Sequence, residues 1–155
     1  MNHPKDEHDP NPPVLALDLG QKTVGVAISD ELSITIKRLD PIKRTNWKDL
    51  LKNVGALIER FDAQTLVIGL PLSLDGTRGP AAETAQQLSR NFARSLKIPV
   101  YLQDERLTSK EARTSLRDDG YSQAEVDALV DSESAAIILR DFLNSREERL
   151  LVSPE

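Results

Sequence analysis

Three short apolar runs open the folded part of the chain. Val14–Leu19 and Val24–Ser29 are almost continuously apolar, and Ser33–Leu39 alternates apolar with polar residues, so each is typical of a β-strand. Only Gly20–Thr23 and Asp30–Leu32 separate these runs. Because connections this short cannot carry a parallel crossover, the three strands are predicted to form an antiparallel meander.

Four later segments repeat apolar residues at helical spacing, and the last of them runs to about Asn144. Each begins at a recognisable start signal, either a capping residue or a proline at the first helical position. In chain order, these signals are Thr45 or Asn46 before Trp47, Gly79 before Pro80, the capping box of Thr108 and Glu111, and that of Ser122 and Glu125. The stripe that starts at Trp47 and ends at Phe61 predicts core positions rather than base-stacking residues.

Two apolar runs between these helices, Thr65–Gly69 and Pro99–Gln103, predict buried strands. Helical crossovers make them parallel to the first strand, and right-handed connections place them on its free edge. The predicted strand order is therefore 3-2-1-4-5, with strand 2 antiparallel to strand 1. This pattern indicates an α/β fold in which helices flank a mixed five-stranded sheet.

One domain accounts for most of the 155 residues, as the length alone suggests. Residues 14–145 are predicted to form it. Residues 1–13 contain four prolines and are expected to be a disordered leader, and residues 146–155 a flexible charged tail.

Composition removes several classes of function. The chain has no cysteine, and its two histidines, His3 and His8, both lie in the leader, which excludes thiol chemistry, histidine-based triads and Cys- or His-ligated zinc in the domain. No apolar run approaches the ~18 residues of a membrane span, so a cytoplasmic protein is expected. The net charge of −5 does not favour indiscriminate binding to nucleic acid.

Three acids occupy unusual places in this pattern. Asp18 lies within the first strand, where an ionised carboxylate is costly unless it is paired or metal-bound. Glu105 follows Asp104 at the end of the fifth strand, and Asp131 heads an apolar helical stripe. Because strands 1 and 5 are predicted to be parallel, Asp18 and Glu105 share the sheet edge at which α/β proteins bind ligands.

These residues have simpler interpretations as well. Asp18 could hydrogen-bond the following turn, Asp131 could be a helix N-cap, and Glu105 could form a surface ion pair with Arg106. Taken together, three acids at one edge of a domain without histidine or cysteine favour Mg²⁺ or Mn²⁺. Two such ions can activate water and stabilise the leaving oxygen in phosphodiester cleavage.

Four ordered blocks of the sequence resemble a known family, the YqgF family of Holliday junction resolvases, also called RuvX-like. The blocks are DLGQKTVGVAIS at 18–29, VIGLPL with DGT at 67–77, DERLT at 104–108, and VDSESAAIIL at 130–139. The resemblance covers about residues 14–144.

This resemblance implies a three-layer RNase H-like fold and a nuclease. Members of the family are described as acting on branched DNA or on the 5′ end of precursor 16S ribosomal RNA. Carried over by position, the resemblance assigns the catalytic and metal-binding acids to Asp18, Glu105 and Asp131. These are the acids already singled out, and Glu105 rather than Asp104 is favoured, since it falls on the more polar face of its strand.

Four cations are candidates for substrate binding. Lys22 lies in the first hairpin, Arg78 in the loop after strand 4, Arg106 beside Glu105, and Lys110 on the following helix. Each could contact a phosphate. Alternatively, Lys22 and Lys110 are solvated surface lysines, Arg106 supports Glu105, and the loop of Arg78 is only a mobile connection.

Three functions follow from these observations. The first is a metal-dependent nuclease that acts on precursor ribosomal RNA or on a four-way DNA junction. The second is an ATP-binding phosphotransferase, because the motif after Asp18 also resembles the phosphate loop of actin-like ATPases. The third is a non-catalytic module that binds RNA or the ribosome. Cleavage of a symmetric junction calls for a homodimer, whereas trimming one RNA end requires only a monomer.

Overall fold

The computed structural model describes residues 10–73, 75–105, 108–144 and 149–154, without the side chains of 108–110. The strands are β1 (Val14–Leu19), β2 (Thr23–Ser29), β3 (Ile36–Lys43), β4 (Thr65–Leu70), β5 (Val100–Asp104) and β6 (Arg149–Leu151). The helices are α1 (Trp47–Phe61), α2 (Pro80–Ser95), α3 (Thr108–Asp118) and α4 (Gln123–Asn144).

A mixed sheet in the order β3-β2-β1-β4-β5-β6 forms the centre of the domain. The predicted order 3-2-1-4-5 is confirmed, because β2 pairs antiparallel with β1, and β4 and β5 run parallel to it. The Pro at the start of α2 and the capping box of Ser122 and Glu125 also lie where they were predicted. Asn46, not Thr45, caps α1 and accepts a hydrogen bond from the backbone of Asp49 at 2.9 Å.

The sheet has one strand more than the sequence predicts. Residues 149–151, expected to belong to the flexible tail, form β6 and pair antiparallel with β5. At the other end, the sequence places Pro13 in the leader, but its carbonyl oxygen accepts a hydrogen bond from Gln64 N at 2.9 Å. Segments this short have too few residues for a pattern of apolar positions to be recognised in the sequence. Their positions are set by hydrogen bonds to the backbone of neighbouring strands. Residues 1–9, 145–148 and 155 lie outside the described residues.

The third strand begins and ends later than predicted. Residues 33–35 belong to the turn after β2, where the Asp30 carboxylate accepts a hydrogen bond from Ile34 N at 2.7 Å. The strand then continues past Pro41, because the register shifts between Val24 and Val26 and places two β3 residues opposite Gly25. As a result, the carboxyl end of β3 at Lys43 reaches the same sheet edge as the start of β2.

Helices cover both faces of the sheet in three layers. The α1 and α2 helices pack on one face, where Trp47 meets Phe92 with ring centroids 4.8 Å apart, so the core interpretation of Trp47 is confirmed. The α4 helix packs on the other face through Ala135, Ile138 and Phe142, and α3 packs against α4. None of the helices within the described residues is long and apolar enough to span a membrane.

Close contact between α4 and β2 depends on Gly25. A Cβ atom at this position would lie 1.9 Å from the backbone oxygen of Asp131, a contact that no side-chain rotation relieves. One residue further along α4, the Ser132 hydroxyl donates a hydrogen bond to the carbonyl oxygen of Leu39 at 2.8 Å. The first of these contacts fixes the height of α4 above the sheet, and the second fixes its position along β3.

Replacing Gly25 by alanine is expected to destabilise the protein by roughly 3 kcal/mol or more, because α4 must move away from the sheet. Urea denaturation followed by circular dichroism measures this change. Gly55→Ala in α1 is the matched control, since its Cβ would meet nothing within 4 Å. The control is expected to gain about 0.5–1 kcal/mol of stability. Equal stability of Gly25→Ala and the wild type would contradict the close packing of α4.

Candidate active site

The carboxyl ends of three parallel strands meet at one edge of the sheet. Asp18 near the end of β1 is only 8% exposed, and it alternates with Val14 and Ala16 on the face covered by α4. Its cross-strand partner on β2 is Gly25. A carboxylate is therefore held inside the domain, next to the helix that carries Asp131.

Glu105 follows β5 directly and reaches the same place. Its backbone N–H donates to the carbonyl oxygen of Leu70 at 3.1 Å, which extends the pairing of β4 and β5 by one residue. A Cβ atom on Gly69 would lie 2.6 Å from Ile138 Cδ1 and 2.7 Å from the Glu105 carboxyl, so a larger residue here would force both side chains to move. Gly69 thus adds no side chain between Asp18 and Glu105.

The carboxyl groups of Asp18 and Glu105 are hydrogen-bonded to each other. Burial, the charge of Asp18, the shared hydrogen bond and the charge of Asp104 together raise the pKa of Glu105 to about 9. Burial raises the pKa of Asp18 to about 6, although the bond from Glu105 opposes this shift and the charge of Asp131 adds to it. At neutral pH, Glu105 is therefore the protonated partner and donates its proton to the Asp18 carboxylate.

Asp131 approaches the pair from the α4 side. It lies about two turns inside α4, which begins at Gln123, so the interpretation of Asp131 as an N-cap is wrong. Its carboxylate accepts a hydrogen bond from the hydroxyl of Thr23 at the start of β2. It also faces Gly20, where a Cβ would stand 3.4 Å from its Oδ2 atom. The third acid is thus tied to the turn between β1 and β2.

The donor set suits a hard divalent cation, although the acids do not form a closed cage. Asp18, Glu105 and Asp131 offer only carboxylate oxygens, the ligands that Mg²⁺ and Mn²⁺ prefer. Burial and the proximity of other carboxyl groups raise the pKa values of Asp18 and Glu105, which means that ionising them costs free energy. A bound cation would offset this cost. Within the described ranges, however, no three acidic or histidine side chains are grouped closely enough to hold an ion as they stand.

The predicted substrate-binding cations are only partly described. Lys22 is exposed in the β1–β2 turn, and Arg78 is exposed in the loop between β4 and α2. Neither has a described contact with the three acids. Arg106 and the side chain of Lys110 lie outside the described residues.

Sequence reasoning missed two residues that organise this edge. Thr23 holds Asp131 through its hydroxyl, and Arg44 donates from its guanidinium to the carbonyl oxygen of Gly20 at 2.7 Å. Nothing in the pattern marked Arg44, because the predicted third strand ended at Leu39, well short of this edge. A strand pattern that tolerated the bulge at Pro41 would have brought Arg44 there.

Glu105→Gln is expected to stabilise the metal-free protein at alkaline pH. Glu105 releases its proton near pH 4.5 when unfolded and near 9 when folded, so the unfolded state is favoured increasingly as pH rises between these values. Glutamine removes this dependence. At pH 8 in a chelator, the variant should melt roughly 5 °C above the wild type by scanning calorimetry.

The matched control for this experiment is Glu59→Gln, the same chemical change on an exposed face of α1. It is expected to melt with the wild type at every pH. An unchanged or lower melting temperature for Glu105→Gln at pH 8 would show that Glu105 is not held as a neutral acid.

Comparisons with known proteins match the part of the chain that the sequence predicts to be the folded domain. A family model described as "RuvX: Holliday junction resolvase" matches residues 13–145. A protein of Anaeromyxobacter sp. (strain Fw109-5), named "Putative pre-16S rRNA nuclease", is 36% identical over 132 residues, which are 85% of this chain and 96% of the relative. A protein of the same name from Syntrophus aciditrophicus is 35% identical over 140 residues, 90% of this chain and 93% of its own length.

A solved structure shares the fold. RuvC of T. thermophilus, in complex with a Holliday junction substrate, aligns with a TM-score of 0.55 over 88% of this chain and 98% of its own, at 16% identity. The fold is accordingly α/β and RNase H-like, as the sequence predicts. With a family match that spans the whole domain and curated relatives above one-third identity, the chain belongs to the RuvX family.

Proposed function

We propose that this chain is a divalent-metal-dependent nuclease that hydrolyses a phosphodiester bond in structured nucleic acid. The observation that carries the proposal is the buried pair of Asp18 and Glu105, hydrogen-bonded at the carboxyl edge of three parallel strands. A purely structural protein gains nothing from burying two adjacent acids, because each raises the cost of ionising the other. Membership of a resolvase family supports a hydrolytic role for this edge.

Asp18 and Glu105 would be the principal ligands of Mg²⁺ or Mn²⁺, and Asp131 would complete the site from α4. The bound metal supplies activation of water and stabilises charge on the leaving oxygen. Three carboxylates carry enough oxygens for two ions acting together. Thr23 orients Asp131 through its hydroxyl, and Gly69 keeps open the space into which Glu105 extends.

We infer that the substrate is the 5′ end of precursor 16S ribosomal RNA. The names of the curated relatives at 35–36% identity support this substrate. The net charge of −5 also favours a specific structured target, presented by a ribosomal precursor in the cytoplasm, over bulk nucleic acid. Such trimming needs only one copy of the chain.

A four-way DNA junction is the second candidate substrate. The description of the matching family supports it, as does the shared fold with a junction-bound RuvC. Symmetric cleavage of a junction would require a two-fold homodimer. Cleavage of both substrates by the purified protein with Mn²⁺, measured side by side, separates the two candidates. Binding without cleavage of either would favour the non-catalytic module instead, and saturable ATP binding would favour the phosphotransferase.

Replacing either member of the pair is expected to remove cleavage. Asp18→Asn and Glu105→Gln should each lower turnover roughly 100-fold or more, because each removes a ligand oxygen. Asp104→Asn is the matched control and should keep most activity, since Asp104 alternates with Val100 and Leu102 toward the opposite face. The measurement is single-turnover cleavage of the labelled substrate with Mn²⁺. A dead Asp104→Asn beside an active Glu105→Gln would reverse the assignment.

Divalent cation should raise the melting temperature of the wild type, with a stabilisation that follows the one-site relation RT ln(1 + [cation]/Kd). Asp131→Ala should shrink this rise if Asp131 binds the ion. The test is a thermal melt of both proteins over a Mn²⁺ titration, with melting temperatures compared at each concentration. A rise of equal size in both proteins would exclude Asp131 from the metal site and leave it a structural role at Thr23.

A further inference from the structure

The sheet edge that carries the three acids continues onto the start of β2 and the end of β3, where three basic residues are found. Lys43 pairs directly with Thr23, and Lys22 immediately precedes Thr23 in the chain. Cross-strand partners share a face of the sheet, so Lys43 lies on the face where Thr23 contacts Asp131. Lys22 and Lys43 are both exposed to solvent. Lys43 is thus the cross-strand neighbour of the residue that binds the third acid, and Lys22 lies in the turn directly before that residue.

Arg44 connects this basic group to the β1–β2 turn. Its backbone N–H donates to the carbonyl oxygen of Lys22 at 2.9 Å, and its guanidinium donates to the carbonyl oxygen of Gly20 at 2.7 Å. Arg44 therefore binds the turn between β1 and β2 at two positions, Gly20 and Lys22. Because both acceptors are neutral carbonyl groups, the positive charge of Arg44 is not cancelled by these bonds.

Arginines on the α3–α4 side of the molecule have a different environment. Three of them have a carboxylate partner: Arg38 with Glu133 at 2.9 Å, Arg113 with Asp127 at 2.8 Å, and Arg140 with Glu111 at 2.8 Å. Within the described part of the chain, no carboxylate forms an ion pair with Lys22, Lys43 or Arg44. The charges of these three arginines are thus paired, whereas the three cations around the β1–β2 turn have no described ion pair.

We propose that Lys22, Lys43 and Arg44 form a phosphate rail, which binds the sugar–phosphate backbone of the nucleic acid on the β3 side of the cleavage site. A polyanion that approaches a cluster of carboxylates in an acidic protein is repelled unless nearby cations offset the repulsion. Lys22 and Lys43 contact phosphates, and Arg44 positions the turn and adds its own charge. This inference rests on the proposed nuclease function and extends it to Lys43 and Arg44.

An alternative role for these cations is purely internal, to offset the charge of Asp18 and Asp131 in the folded protein. The two roles differ in one measurable quantity. A phosphate contact releases counterions from the nucleic acid, so its loss lowers the slope of log affinity against log salt by about 0.7–0.9. Internal compensation changes stability without changing that slope.

The test uses the full chain in a chelator, so that binding is measured without cleavage. The probes are a fluorescent four-way DNA junction and an RNA hairpin with a single-stranded 5′ extension, each titrated over a range of salt concentrations. Lys22→Gln and Lys43→Gln are each expected to weaken binding about three- to tenfold and to lower the salt slope by about one contact. Lys37→Gln is the matched control, because Lys37 pairs with Ile28 at the opposite end of the same strand.

Arg44 has its own pair of variants. Arg44→Gln is expected to lower the salt slope and also the cleavage rate at saturating substrate, because the turn beside Asp18 loses its support. Arg44→Lys keeps the charge and should restore the slope while leaving the rate reduced. If Arg44→Lys restores neither the salt slope nor the cleavage rate, the charge of Arg44 does not contribute to binding.

Failure of the rail and failure of the nuclease function are distinguishable. If the wild type cleaves a probe with Mn²⁺ but Lys22→Gln and Lys43→Gln keep the wild-type slope, the rail is wrong and the nuclease function stands. An equal loss of slope in Lys37→Gln would indicate diffuse charge and also overturn the rail. A wild type that neither binds nor cleaves either probe would overturn both proposals.

Discussion

The burial of two adjacent carboxyl groups is the constraint around which this domain is arranged. Asp18 and Glu105 can share one site only because a proton remains on Glu105, whose pKa is raised to about 9. Parallel pairing of β1, β4 and β5 forces their carboxyl ends to one edge, which brings together residues 87 positions apart in the sequence. The cost of this contact is local, and the apolar layers on both faces of the sheet stabilise the domain against it.

Two glycines are important for the site because they have no side chain. Gly69 provides the space for the Glu105 carboxyl, and Gly25 allows the backbone of α4 to lie directly on β2 at Asp131. A side chain at Gly69 would displace a functional group, whereas one at Gly25 would displace a helix. Glycine therefore makes room for a side chain of the proposed site at one position and for the packing of the layers at the other.

Basic side chains on the two sides of the domain differ in whether they form ion pairs with carboxylates. Ion pairs such as that of Arg140 with Glu111 neutralise the surface around α3 and α4. Around the β1–β2 turn, Arg44 bonds to the carbonyl oxygens of Gly20 and Lys22 and forms no described ion pair. The proposed phosphate rail rests on this asymmetry, which the net charge of −5 alone does not suggest.

By itself the sequence determined the strand order, the layers, the candidate acids and the face of β5 that carries Glu105, because periodicity and short connections are local properties of the chain. Only the tertiary structure decided that β3 passes Pro41 through a bulge, that β6 pairs with β5, and that Thr23 binds Asp131. Each of these depends on groups far apart in the sequence whose hydrogen bonds have no local signal. Arg44 reaches the β1–β2 turn for the same reason, since its position follows from where β3 ends.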